Sequence, residues 1–228
     1  MRNRFACEPL TANCEEVFSR REHAVIGISP GNSYYSEENI AGLLHWASRE
    51  FESISVMIPD NALIETLMAA GYARDRAQKK AREACARLRN RAARAWKSMG
   101  QSDRSKVSLL LLSELSGHER YRQVLQRAKA GLVEDAELRE CCLRLSRKVL
   151  ASYLRGAEPT EDQAMRALGY LIAEMPLLVD SPRIFDVDSS TAIYYRRVEY
   201  IDRLHLCNGK LRPSTNQAFA VVRQVEHV

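Results

Sequence analysis

The 228-residue chain predicts one α/β domain built on a parallel sheet, and three observations carry that prediction. A strand, a helix and a second strand follow one another near residues 23–60. A long helix without Pro or Gly runs near 74–97. Further apolar, strand-like runs recur at 106–112 and 218–222. Strands alternating with helices are the pattern of a parallel sheet covered by helices. No repeat or low-complexity linker interrupts the chain, so residues 1–228 are expected to form a single unit.

The elements follow in order. Ala24-Val-Ile-Gly-Ile28 is a short apolar run that ends in Ser-Pro-Gly-Asn, a buried strand leading into a loop. Ser36, followed by Glu37, Glu38 and Asn39, is a helix start. Ile40, Leu43, Leu44, Ala47 and Phe51 then fall on one helical face, which packs back onto the strand. Ile54–Ile58 is the second strand and stops at Pro59-Asp60. Two strands joined through a helix in about 35 residues should be parallel. Ligands in such sheets bind outside the carboxyl ends of the strands, where Ser29 and Asp60 fall. A helix near Leu63–Ala70 reaches Gly71, and the helix from Arg74 to Lys97 is roughly 36 Å long at 1.5 Å per residue. Lys106–Leu112 is a third strand, Glu134–Arg155 and Thr160–Glu174 are helices, and Ala218–Val222 is a last strand.

Composition excludes several classes. Lys and Arg number 34 against 29 Asp and Glu, a formal charge of +5, with 46% apolar and 28% charged residues. That is ordinary globular usage, unlike a fibrous or disordered chain. No apolar stretch approaches the roughly 20 residues of a membrane span, and Met1-Arg-Asn-Arg-Phe-Ala-Cys7 lacks the apolar core of a secretory signal. Cys7, Cys14, Cys85, Cys141, Cys142 and Cys207 form no C-x-x-C pair and have no His spaced to complete a zinc site. A cytoplasmic monomer without metal or other cofactor is the expectation.

The positive charge is concentrated. Residues 74–97 hold ten basic residues (Arg74, Arg76, Lys79, Lys80, Arg82, Arg87, Arg89, Arg91, Arg94 and Lys97) against Asp75 and Glu83, so this helix carries +8 and the remainder −3. At about 100° per residue, Arg76, Lys80, Arg87, Arg91 and Arg94 form one stripe roughly 60° wide. Ala77, Ala81, Ala84, Leu88, Ala92 and Ala95 form a separate, small-residue stripe. Solvated faces intersperse both signs, so a one-signed strip points to phosphates. RNA stems are recognised largely through phosphate and shape.

Gly27-Ile-Ser29-Pro-Gly31 fits the G-x-S-x-G nucleophile elbow of serine hydrolases. In that elbow the residue after the serine donates its backbone N–H to the oxyanion, and here it is Pro30, which has none. Asp180 and His205 are the available acid and histidine, and nothing in their surroundings marks a triad. The hydrolase stays as an alternative. So does a non-catalytic tRNA-binding protein, which the basic strip alone would allow.

The string His23 to Tyr34, H-A-V-I-G-I-S-P-G-N-S-Y, and the string Tyr170 to Pro176, Y-L-I-A-E-M-P, together resemble the two signature motifs of the tRNA-dependent cyclodipeptide synthases. A later Ser189-Ser-Thr-Ala-Ile-Tyr194 segment comes in the family's order. The resemblance implies a Rossmann-like domain similar to the catalytic domain of class I tyrosyl- and tryptophanyl-tRNA synthetases. The chain has no H-I-G-H string or P-loop, and Lys210-Leu-Arg-Pro-Ser214 is a loose echo of K-M-S-K-S, in keeping with chemistry that needs no ATP. The implied reaction is aminoacyl transfer by a ping-pong route. Ser29 takes the aminoacyl group from one aminoacyl-tRNA, a second aminoacyl-tRNA extends it to a dipeptidyl-serine, and cyclisation releases a diketopiperazine.

Tyr170 and Glu174, four apart on a helix, share a face. The resemblance implies that they hold the α-amine of the first amino acid and that Tyr194 assists proton transfer during cyclisation. Gly27 and Asn32 match substrate-side positions. A side chain at Gly27 would crowd the substrate, and Asn32 would bond either a loop backbone or the second substrate. His23 reads as a structural histidine. Val25, Gly27 and Met57 suggest an apolar first pocket of modest size, while Arg196 and Arg197, which the family pattern does not predict, would suit a polar or acidic second amino acid. The tRNA itself would lie on Arg76, Lys80, Arg87, Arg91 and Arg94.

Overall fold

The structure, a computed structural model, describes residues 4–206, 209 and 211–225. Cys207 and Lys210 fall outside them. In chain order the elements are β1 (Arg4–Pro9), α1 (Ala12–Ser19), β2 (His23–Gly27), α2 (Glu37–Glu50), β3 (Ser53–Ile58), α3 (Ala62–Ala69), α4 (Arg74–Lys97), α5 (Gln101–Ser105), β4 (Val107–Leu111), α6 (Leu112–Leu115), α7 (Glu119–Glu134), α8 (Ala136–Tyr153), α9 (Glu161–Glu174), α10 (Pro176–Val179), α11 (Ser181–Phe185), β5 (Ser190–Tyr194), α12 (Glu199–Leu206) and β6 (Gln217–Val225).

The strands form one sheet in the order β1-β6-β5-β2-β3-β4. Pairing is parallel from β6 to β4, with Val25 opposite Ser55 on one side and Ala192 on the other. The parallel sheet expected from the sequence is present and gains one strand at an edge, where β1 runs antiparallel to β6. β1 ends at Pro9, which can make no ladder donation and is tolerated on an edge strand.

Side chains alternate between the two faces as a strand requires. Ala24, Ile26, Ile54, Val56 and Ile58 enter the core under α2 and α4. Val25, Met57, Ala192 and Phe219 enter the core shared with α7, α8, α9 and α12. The Ser36 hydroxyl caps α2 by accepting from the Asn39 amide at 3.1 Å. Thr160 and Gln163 form a reciprocal cap at the start of α9, so its register is fixed from its first turn. α9 packs on α3 and α8, which brings its last turn over the carboxyl edge of the sheet.

The sheet order reverses at β2. The chain passes from β2 to β3 and β4 on one side, while β5 lies against β2 on the other. The carboxyl ends of β2 and β5 therefore flank a topological switch point, the place where open α/β sheets bind ligands. Ser29 follows β2, and Tyr194 is the last residue of β5.

Candidate active site

A cavity of about 590 Å³ opens at this switch point and is lined by Ser29, Tyr170, Glu174, Tyr194, Gly27 and Asn32 among others. The four residues expected to do the chemistry thus come together from the β2 loop, α9 and β5. The cavity's apolar walls include Val25, Met57 and Leu63 on one side and Ala192, Val198 and Ile201 on the other. Gly27 has no protein atom within 4 Å of where a Cβ would stand. A side chain there would project into free cavity space, in line with the crowding expected from the sequence.

Loop conformation presents Ser29. Gly31 has a φ of +80°, left-handed backbone that favours glycine, and the chain turns back so that the Asn32 amide donates to the Ser29 carbonyl at 3.3 Å. Of the two roles open to Asn32, the structure shows the loop bond. Its Oδ1 accepts from the Tyr34 amide at 3.0 Å and its Nδ2 donates to the Tyr195 hydroxyl at 3.1 Å. Tyr195 stacks on Tyr34 with ring centroids 4.1 Å apart and planes 13° apart. The Tyr35 hydroxyl donates to the Gly27 carbonyl at 2.7 Å. Pro30 is buried beside Ser29.

Glu174 is the electrostatic centre. Burial in the apolar cavity pushes its carboxyl up to about 7, against a smaller opposing pull from the Tyr170 hydroxyl. No cation pairs with it among the described residues. Its charge reaches five tyrosines: Tyr35, Tyr121, Tyr170, Tyr194 and Tyr200 are all raised, first by burial and then in part by Glu174. The Tyr170 hydroxyl sits beside both Glu174 and Ser29, and the serine pulls its ionisation the other way. Neither neighbour completes a hydrogen bond of normal geometry, so this buried hydroxyl is left without a partner. Buried polar atoms are almost always satisfied, and an orphan in a cavity marks a place where another molecule supplies the partner. A carboxyl without a cation next to a hydroxyl without a partner leaves unused acceptor and hydrogen-bonding capacity facing the cavity.

Other sequence expectations resolve clearly. His23 is buried, with its two ring nitrogens on Ser190 Oγ at 2.8 Å and Ser55 Oγ at 3.0 Å, and burial lowers it to about 4. It is a neutral link across three strands. Asp180 pairs with Arg127 at 3.5 Å, His205 contacts Cys14 Sγ at 3.5 Å, and neither lines the Ser29 cavity. Among the described residues, no three His, Cys, Asp or Glu side chains gather as a metal ion would need.

The basic helix spans Arg74–Lys97 as read from sequence, and buries Ala77, Ala81, Cys85, Leu88, Ala92 and Ala95. Cys85 takes the buried place expected of Ala84. The cationic stripe is divided. Arg91 donates to the Tyr35 carbonyl at 2.5 Å and Arg94 pairs with Glu37 at 2.7 Å, so both tie α4 to the loop and helix after Ser29. Arg76 and Lys80 lie over the Tyr72 ring at 5.2 and 5.0 Å, and Arg87 is exposed.

Sequence reasoning missed Tyr35, Tyr121, Tyr195 and Tyr200. Tyr195 adjoins a motif position, but its bond to Asn32 spans 163 positions, a tertiary pairing that no local spacing encodes.

Comparison with known proteins identifies relatives over nearly the whole chain. A family model described as cyclodipeptide synthase matches residues 5–224. The cyclo(L-leucyl-L-leucyl) synthase of Bacillus subtilis is 31% identical over 97% of this chain and 90% of its own length. The cyclo(L-leucyl-L-phenylalanyl) synthase of Streptomyces noursei is 35% identical over 92% and 88%. Among solved structures, a cyclo(L-leucyl-L-phenylalanyl) synthase superposes with a TM-score of 0.88 at 32% identity, covering 97% of this chain and 99% of that one. A Mycobacterium tuberculosis protein, whose structure is described as demonstrating that cyclodipeptide synthetases are related to type I tRNA synthetases, gives 0.84 at 27% identity, covering 99% and 95%.

Proposed function

The chain belongs to the cyclodipeptide synthase family, and on that premise we propose that it joins the amino acids of two aminoacyl-tRNAs through covalent intermediates on Ser29, as an ATP-independent aminoacyltransferase. The observation that carries this reading is the uncompensated Glu174 carboxyl beside the unpartnered Tyr170 hydroxyl in the Ser29 cavity.

Ser29 Oγ attacks the ester carbonyl of the first aminoacyl-tRNA, forms a new ester and expels the ribose oxygen. One ester replaces another, so the activation already stored in the substrate drives the step. The α-ammonium of the new aminoacyl-serine lies on Glu174 and Tyr170. For the serine ester to persist into a dipeptidyl-enzyme, the nucleophile must be this enzyme-bound amine, attacking the second aminoacyl-tRNA and releasing its ribose oxygen. It must first lose a proton, and a carboxyl poised near 7 is matched to accepting one at neutral pH. Cyclisation follows when the terminal amine attacks the Ser29 ester. A proton then moves to the departing Oγ, with Tyr194 at the end of β5 as the relay. The whole chain acts as one domain, in the cytoplasm, as a monomer that meets tRNA along α4.

The test is expression in a bacterium with mass spectrometry of the medium. A diketopiperazine that disappears in Ser29→Ala supports the proposal, and its absence from well-expressed soluble protein refutes it. Hydrolysis of simple esters without a diketopiperazine would favour the serine hydrolase. Binding of tRNA without turnover would favour a non-catalytic binder.

A further inference from the structure

Among the described residues, two charged side chains line the cavity, Glu174 and Arg196. They sit differently. Glu174 is set among apolar walls, whereas Arg196 is exposed, with its guanidinium 5.4 Å from the centre of the Tyr195 ring. Its neighbour Arg197 is neutralised by Asp202 at 3.3 Å and does not line the cavity. Among the described residues no carboxylate pairs with Arg196. The ring beneath it is rigid: Tyr195 is stacked on Tyr34, held by Asn32, and met edge-on by Tyr35.

An aminoacyl-tRNA has its carboxyl tied up as an ester and its amine positive. The anions it can bring to this rim are the phosphodiesters next to its 3′ end and, for two amino acids, a side-chain carboxylate. A carboxylate directed into the cavity would meet Val198, Ile201 and Leu145, and burying it there is costly. A backbone phosphate stays at the solvent edge, where Arg196 is. A planar guanidinium stacked on an aromatic ring and free to chelate two oxygens is the usual device for gripping phosphate.

We propose that Arg196, seated on the Tyr195–Tyr34 stack, grips the phosphodiester nearest the 3′ end of the aminoacyl-tRNA and so registers the ester over Ser29. This is a contact separate from the α4 strip. It rests on the reading of the substrate as aminoacyl-tRNA.

The test is the salt dependence of kcat/KM for diketopiperazine formation. Arg196→Gln should lower the magnitude of the log–log slope by about 1, the loss of one phosphate contact, while making the same product. Arg196→Lys should retain the slope and Arg197→Gln should match wild type. A shorter substrate isolates the phosphate. Wild type should use an aminoacyl-CpA ester about 10-fold better than an aminoacyl-adenosine, the scale of one charge-assisted bond, and Arg196→Gln should lose that preference. An unchanged slope overturns the assignment, as does a wild-type enzyme indifferent to the CpA phosphate. A variant that incorporates different amino acids with the slope intact would assign Arg196 to a substrate side chain and also overturn it. If wild type makes no diketopiperazine from any of these esters, the proposed reaction fails separately, and the slope of aminoacyl-tRNA binding by filter retention still tests the phosphate contact.

Discussion

The cavity at the switch point and the outer face of α4 use opposite physics. The cavity is walled by apolar side chains and tyrosines, and desolvation pushes its one carboxyl up to about 7, only partly offset by the Tyr170 hydroxyl. Along α4, ten cations face two anions in 24 residues, most of them exposed to water and screened by salt. A buried group acts strongly on one atom at contact distance. A solvated strip acts weakly on many phosphates, wherever they lie. The proposed reaction on aminoacyl-tRNAs would use both, and the two regions meet where Arg91 bonds the Tyr35 carbonyl.

Removing cavity groups should therefore cost far more than removing strip charges. Ser29→Ala should abolish diketopiperazine formation, read by mass spectrometry, and leave tRNA affinity in place. Glu174→Gln should lower turnover about 100-fold, the scale of a lost proton carrier. Its effect on stability has the opposite sign. Glu174 is raised from 4.5 to about 7 by folding, so the stability linked to its neutral form is present below 4.5 and is lost as pH rises through 7. Glutamine keeps a neutral group there, and Glu174→Gln should melt higher than wild type at pH 8 but not at pH 4. A variant inactive and less stable at pH 8 would break the electrostatic account. In wild type, kcat/KM should fall as pH drops below about 7, as the carboxylate that receives the ammonium is protonated.

Gly27→Ala comes next. With open space at the Cβ position, its melting temperature should stay near wild type while KM rises, separating substrate crowding from misfolding. On the strip, Arg76, Lys80 and Arg87 changed together to Gln should lower the log–log salt slope by about 2 to 3, with stability changes within about 0.5 kcal/mol each. Arg91→Gln should behave differently. It loses a half-buried charged bond to the loop after Ser29, so it should cost about 1.5 kcal/mol of stability and reduce turnover as well as affinity. Equal behaviour of Arg87 and Arg91 variants would contradict the division of the stripe.

The sequence made the centre of the fold legible and its margins less so. The β2-α2-β3 unit was readable because apolar runs, the Ser36 cap and Pro59 all mark local boundaries. α4 was readable because 24 residues of strong helix formers need no tertiary help. β1 is six residues at an edge, paired with the opposite end of the chain, and no local pattern announces such a partner. α7 buries Tyr121, Val124, Ala128 and Leu132 at helical spacing, so its signal was present but lay among polar residues. β5 is buried along most of its length between two other strands, and its Ser and Thr weaken the apolar signature of a strand.

Within the site, Ser29, Tyr170, Glu174 and Tyr194 were legible through motifs, and the structure gathers them around one cavity. The electrostatic coupling of Tyr35, Tyr121 and Tyr200 to Glu174 was not, because it joins side chains distant in sequence. The split within the basic stripe was also hidden, since helical spacing places Arg87 and Arg91 on one face without showing that the Tyr35 carbonyl waits beside only one of them.

The central claim is that Ser29 carries the aminoacyl group. Intact mass spectrometry of enzyme mixed briefly with a single aminoacyl-tRNA tests it most directly. The account predicts an added mass of one aminoacyl residue, mapped to Ser29 and missing from Ser29→Ala. Diketopiperazine formation by Ser29→Ala, or an adduct mapped to another residue, would contradict it.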